Sequence, residues 1–224
     1  MNSDRFTEQT KHQATTMQAR YMSLLSGCSS TSEAVKSRCF AVLDSLYSAP
    51  SRQFHNWQHI ESLFEYFDRF SFVIKAPQAV SLAIFYHDAI YDERADDNEA
   101  RSASLYAEHA LLLGIPAVIS KEVVILIDAT RHIAAQTHTD AAVMADLDLM
   151  PLAVRSDVFR QNSTKVRKEF SSLSDKEFSR RQFKFMSALL DRSSIYQTPV
   201  IRDAMEAGAR QNVVDYLKSL QPEL

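Results

Sequence analysis

The chain has 224 residues, 46% of them hydrophobic and 24% charged, with a net charge of −3. That make-up suits one large globular domain, and the slight acidity argues against a general nucleic-acid-binding surface. Only three glycines interrupt it (Gly27, Gly114, Gly208), which favours long helices and leaves no glycine-rich phosphate loop.

Taken in order, Met17, Tyr21 and Leu24-Leu25 repeat at helical spacing within residues 1–26, and Gly27 stops that helix. Ser29-Ser30-Thr31-Ser32 offers turn and N-cap chemistry for a helix over about 32–48, with a stripe of Val35, Cys39, Val42, Leu43 and Leu46. Cys28 and Cys39 form no C-x-x-C pair and read as reduced, partly buried thiols. After Pro50, the stretch Arg52 to His59 leads into an amphipathic helix carrying Ile60, Leu63, Phe64 and Phe67. Pro77 opens an apolar helix that ends at His87-Asp88. Residues 89–97 form a polar connection, and Asp97 or Asn98 caps a helix that runs to Gly114, placed as a C′ glycine.

Lys121 to His132 reads as a compact apolar helix that presents Thr130-Arg131-His132 at its end. A loop over 133–139 follows, then a helix from Asp140 through Asp146 and Asp148. Three more helices are expected over about 156–171, 175–192 and 200–220. No period-2 alternation is sustained anywhere, so the chain reads as all-α and single-domain over 1–224, with N-terminal helices 1–48 packed on a core of 50–215. The opening Met1 to Glu8 is too polar for a signal peptide and no run of about 18 apolar residues is present, so a cytoplasmic protein without a membrane partner is expected.

The chemistry concentrates in His59, the adjacent His87-Asp88, and Asp146 or Asp148, each group on its own helical segment. Two imidazoles and two carboxylates suit a divalent cation and leave positions open for water and substrate. Manganese, magnesium, iron, cobalt, nickel and zinc are all compatible with such a set. Asp146 and Asp148 point about 200° apart on a helix, so one is expected to ligate, and the spacing leaves open which. His55 shares a helix face with His59 and reads either as packing or as a phosphate contact. Arg52, one turn earlier, reads either as a surface salt bridge or as a bidentate phosphate ligand. His132 reads as a helix-end histidine or as a proton donor to a leaving group. His12, His109 and His138 have no partners at ligand spacing and are expected at the surface.

Seven stretches carry a resemblance to a known family. They are Arg52 to His59, Phe85 to Asp92, Asn98 to Ala103, Ala129 to His132, Asp146 to Leu149, Val166 to Phe170 and Ala209 to Asn212. Together they resemble bacterial proteins described as predicted metal-dependent HD-superfamily phosphohydrolases. The chain differs in having Phe54 and Phe170 where that pattern tends to have Tyr, and in Pro151 and Ala153. The resemblance implies an HD-type helical bundle with metal held by His59, His87, Asp88 and Asp146 or Asp148. It also implies Arg52, His55 and His132 near a substrate phosphate, and Asn98, Glu99 and Ser102 in support. The expected activity is hydrolysis of a small phosphorylated compound, a nucleotide or related phosphate ester, and no nucleic-acid polymer is expected as partner. Two alternatives stand beside it: a metal- and nucleotide-binding regulatory module without turnover, and a diiron oxygenase in which His132 ligates a second metal.

Overall fold

Ten α-helices and no strand make up the described residues of the computed structural model, which cover 2–220, with side chains from residue 12. The expected domain over 1–224 therefore extends, at Met1 and at 221–224, outside the described residues. The helices are α1 (Asn2–Ser26), α2 (Glu33–Tyr47), α3 (Trp57–Arg69), α4 (Pro77–Tyr86) and α5 (Asn98–Leu113). They continue with α6 (Ala117–Ala129), α7 (Thr139–Asp148), α8 (Ser156–Glu169), α9 (Asp175–Leu190) and α10 (Pro199–Leu220). No helix of the described residues is long and apolar enough to cross a membrane.

The central element is α4. Every residue from Ala79 to Tyr86 is buried, Ser81 included, as an almost wholly apolar helix surrounded on every side should be. It packs against α3, α5, α6 and α7, while α1 lies over α3 and α4 and touches α2, and α2 reaches α5. A short turn at 150–152 joins this body to α8 and α10, with α9 packed on α10. One continuous core runs from Met17 to Val213. Its densest part is aromatic: Trp57 stacks on Phe40 with ring centroids 5.3 Å apart, and Phe64 and Tyr21 meet Phe85 at 4.9 and 5.1 Å.

The helix ends follow local chemistry. Asn56 caps α3 by accepting from the Gln58 N–H, and Ser174 and Glu177 form a reciprocal capping box on α9. Gly114 adopts φ 62° and closes α5, with the Gly114 N–H bonded to Leu111 O and the Ile115 N–H to Ala110 O. Those two bonds are a Schellman closure, which favours glycine because the left-handed region strains a Cβ.

Three sequence expectations are corrected. The buried stripe of α2 is Cys39, Phe40, Leu43 and Tyr47, and Val42 is exposed; Phe40 and Tyr47 bury more area than Val35 and Val42, so they turn inward. Helix α6 begins four residues earlier than expected, directly after Pro116, and ends at Ala129, so His132 stands beyond it. His109 is buried, its Nδ1 2.9 Å from the hydroxyl of Tyr86, which in turn meets the Tyr21 hydroxyl at 2.8 Å. Burial lowers the pKa of His109 and keeps it neutral in that chain. His12 and His138 are exposed or half-exposed, as expected, and His138 caps α7 by accepting from the Ala141 N–H.

Candidate metal centre

Three helices deliver four ligand-type side chains to one point. His59 is the third residue of α3, His87 and Asp88 follow the last turn of α4, and Asp148 closes α7. Their ligand atoms all lie within 4.8 Å of one another. His87 Nε2 is 3.1 Å from Asp88 Oδ2 and 3.4 Å from Asp148 Oδ1; His59 Nε2 is 3.6 and 3.4 Å from the same two oxygens.

These atoms are buried yet lack hydrogen bonds: His59 Nε2, His87 Nε2 and Asp88 Oδ2 have no partner among the described residues. Burying a polar atom without a partner costs free energy unless something else fills the role. The tautomer of His87 points the same way. Its Nδ1 lies 3.1 Å from the Ile84 carbonyl, which only accepts, so Nδ1–H donates and Nε2 presents its lone pair to the cluster. The residues fit a divalent cation.

The electrostatics agree. Burial works against a charged His87, yet the Asp88 and Asp148 carboxylates outweigh it and hold its pKa well above the ordinary value. Burial would likewise raise both carboxylates, but His87 pulls Asp88 far down, and His132, His59 and His87 pull Asp148 down. The cluster demands positive charge, and protonated His87 supplies it where no cation does. His59 is pushed down by burial, with His87 adding to it, so it stays a neutral ligand nitrogen.

The structure separates the two aspartates of α7. Asp146 faces away from the cluster and is fully buried, accepting from Gln197 N at 2.8 Å and Thr198 N at 2.6 Å. It fastens the turn before α10, and Asp148 is the carboxylate of the cluster. Asp148 divides its oxygens: Oδ1 faces the two histidines, and Oδ2 accepts from His132 Nε2 at 2.7 Å. His132 reaches it from a backbone at φ 54°, the one non-glycine residue with positive φ among those described, and the Arg192 guanidinium donates to its carbonyl. Histidine tolerates that region better than most residues, and strain of this kind tends to sit at functional positions.

Arg52 does not line the cavity beside the cluster. Its guanidinium donates to three carbonyls, His55 O at 3.1 Å, Asp88 O at 2.8 Å and Ala89 O at 2.8 Å. Five fixed donors make it a good clamp, and here it ties the loop before α3 to the turn that carries Asp88. Neither reading made from its spacing, the phosphate ligand or the surface salt bridge, describes it.

His55 does face the cavity beside the cluster, as do His59, His132 and Asp148. Its Nδ1 is 2.6 Å from Glu169 Oε2, and its ring stacks on Tyr91 at 4.1 Å. Glu169 also accepts from the backbone N–H of Phe54 and of His55 through Oε1. Burial opposes the charge on His55, but Asp88 and the Glu169 hydrogen bond raise its pKa. Glu169 lies 114 residues from His55, within a stretch of the family resemblance, but no spacing rule connects the two. Asn98 and Ser102 close the 89–97 connection onto α5 through bonds to Asp92 and Ile90, and Glu99 is half-buried, its pKa raised by burial and by the Asp88 and Asp148 charges.

No family model matches the chain, and neither a curated protein nor a solved structure matches it.

Proposed function

We propose that the protein is a metal-dependent phosphohydrolase acting on a small phosphorylated substrate. One observation carries the reading: His59, His87, Asp88 and Asp148 bring ligand atoms within 4.8 Å of one another, with His59 Nε2, His87 Nε2 and Asp88 Oδ2 buried and without hydrogen bonds, and His59 and Asp148 line a cavity of about 240 Å³. His59, His87, Asp88 and Asp148 would hold the cation, and the resemblance to HD-superfamily phosphohydrolases names the same chemistry. A divalent ion bound there supplies an activated water at neutral pH and charge stabilisation at a phosphoryl oxygen.

The chain's own groups serve the remaining needs. His55, with Nδ1 held by Glu169, keeps Nε2 for the cavity and holds or releases a proton there. Asp148 is kept in register by His132 and ionised by its histidine neighbours. Tyr91 fixes the plane of the His55 ring, and Arg52 holds the two metal-bearing segments at their spacing.

The deciding experiment pairs metal analysis of protein purified without chelator with phosphate release, for the native chain and for His87→Ala. Stoichiometric manganese, iron, cobalt, nickel or zinc, lost together with turnover in the variant, is the expected outcome. Turnover retained by metal-free His87→Ala sinks the reading. Tight binding of a phosphorylated compound to the metal-loaded native protein without phosphate release moves it to a regulatory module.

A further inference from the structure

The cavity beside the cluster has walls of one character and an inner end of another. Phe54, Phe159, Phe170 and Phe185 line it, from the loop before α3, from α8 and its end, and from α9. Phe185 is large, apolar and exposed at 39%, so its ring is open to the cavity. No lysine or arginine is among the residues lining this space.

Two side chains break the apolar wall away from the cluster. Asn162 on α8 and Gln182 on α9 both line the cavity, and neither side chain has a hydrogen-bond partner among the described residues. Ser163, their neighbour, already donates to the Phe159 carbonyl. A primary amide carries both donors and an acceptor, so two unused amides can pair with a ring edge that has either kind of atom.

These walls restrict what fits. Hydroxyl groups pressed on four phenylalanine rings lose their water without recovering hydrogen bonds, a cost of about 1–3 kcal/mol each in protein surroundings. Additional phosphates would bring uncompensated negative charge close to Asp88, Asp148 and Glu169. Lys165 on α8 lines a neighbouring cleft that shares Phe54, His59, Pro151 and Asn162 with the cavity, and it is bonded to Gln58. The space itself, about 240 Å³, falls below the roughly 300–1,000 Å³ usual for ligand pockets, so it suits a single ring system.

We infer that the site selects a phosphate ester with a single phosphoryl group and one flat, largely apolar ring system bearing hydrogen-bonding atoms on its rim. It excludes polyphosphates and polyhydroxylated aliphatic esters. The inference rests on the phosphohydrolase reading for the placement of the phosphate, and its own content is the recognition by Asn162, Gln182 and the phenylalanine wall.

The test measures phosphate release and calorimetric binding with the metal-loaded full chain and four probes: indolyl phosphate, naphthyl phosphate, glycerol phosphate and adenosine triphosphate. Indolyl phosphate is expected to lead glycerol phosphate by at least about tenfold in binding, with the triphosphate weaker still. Asn162→Leu and Gln182→Leu should each raise KM for indolyl phosphate by about three- to tenfold, the loss of one hydrogen bond. The rise should be clearly smaller for naphthyl phosphate, whose rim offers no hydrogen-bonding atom. Preference for the triphosphate or for glycerol phosphate, equal losses on both aromatic probes, or no binding by any probe overturns the inference. Binding in the expected order without phosphate release leaves it standing and removes only the hydrolase reading, whereas brisk hydrolysis of the triphosphate does the reverse.

Discussion

The two ends of the buried carboxylate system around α7 use one side chain in opposite ways. At the junction with α10, Asp146 spends both oxygens on backbone N–H groups of residues 197 and 198, as Asp140 does on residues 75 and 76 and Glu206 on 195 and 196. At the junction with α3 and α4, Asp88 and Asp148 face His59 Nε2 and His87 Nε2, which make no hydrogen bond. Burial does not mark the site, since Asp140 and Asp146 are more deeply buried than Asp88 and Asp148. The state of satisfaction does: a loop-fastening aspartate is complete within the chain, and a ligand aspartate is incomplete without something added.

The largest effect that would break this contrast comes from removing ligands. His87→Ala or Asp148→Ala should lower metal affinity and turnover by at least about 100-fold, since even hydrogen-bonding partners of ligands cost 10–100-fold; metal analysis after gel filtration reads it. Asp146→Ala should do the reverse, costing about 2 kcal/mol or more of folding stability by stranding two buried N–H groups while metal stoichiometry stays intact. Thermal melts sharpen the pair: metal at 100 times its Kd should stabilise the native chain and Asp146→Ala by about 2.7 kcal/mol, and Asp148→Ala not at all.

A smaller loss is expected for His132→Ala, about tenfold in metal affinity, because Asp148 keeps its place in the chain but loses the bond on Oδ2. Weaker still is the His55–Glu169 pair, read in metal-free protein as the stability difference between the native chain and Glu169→Gln. Glu169 sits below its ordinary 4.5 because the His55 contact and backbone N–H groups overcome burial, so its stabilisation is present above pH 4.5 and lost as pH falls through the lower folded value. His55 sits above its ordinary 6.5, so its share is present below 6.5 and lost as pH rises through the higher one. The difference should be largest, about 1 kcal/mol, between pH 4.5 and 6.5, and should shrink on either side. A flat profile would mean the pair carries no charge.

Much of the architecture was legible because its punctuation is local. Gly114, Pro50 and Pro77 act through their own backbones, and helix ends fall close to them. His59, His87 and Asp88 were legible as a set because each closes or opens an apolar helix. The choice between Asp146 and Asp148 was not, since both sit among the same apolar neighbours and only the position of the 195–198 turn decides which is consumed. Arg52 was misread because a guanidinium beside a histidine suits phosphate as well as it suits carbonyls of a chain segment 36 residues away. Glu169 had no assigned role for the same reason, its meaning coming from contacts more than a hundred residues distant. His109 looked solitary in sequence and proved to be paired with Tyr86 across the core.

Asp140 near the start of α7 and Asp146 near its end tie that ten-residue helix to two separate chain segments. A rod fastened at both ends does not slide. Asp148 is thereby set at a near-constant reach from His59 and His87, and the opening between them has a preset width. A cation held there would meet a fixed opening, which would favour ligand bonds near 2.0–2.2 Å over the about 2.3–2.6 Å of calcium, whose sites are usually flexible. The reach of the cluster is set from residues that are not part of it.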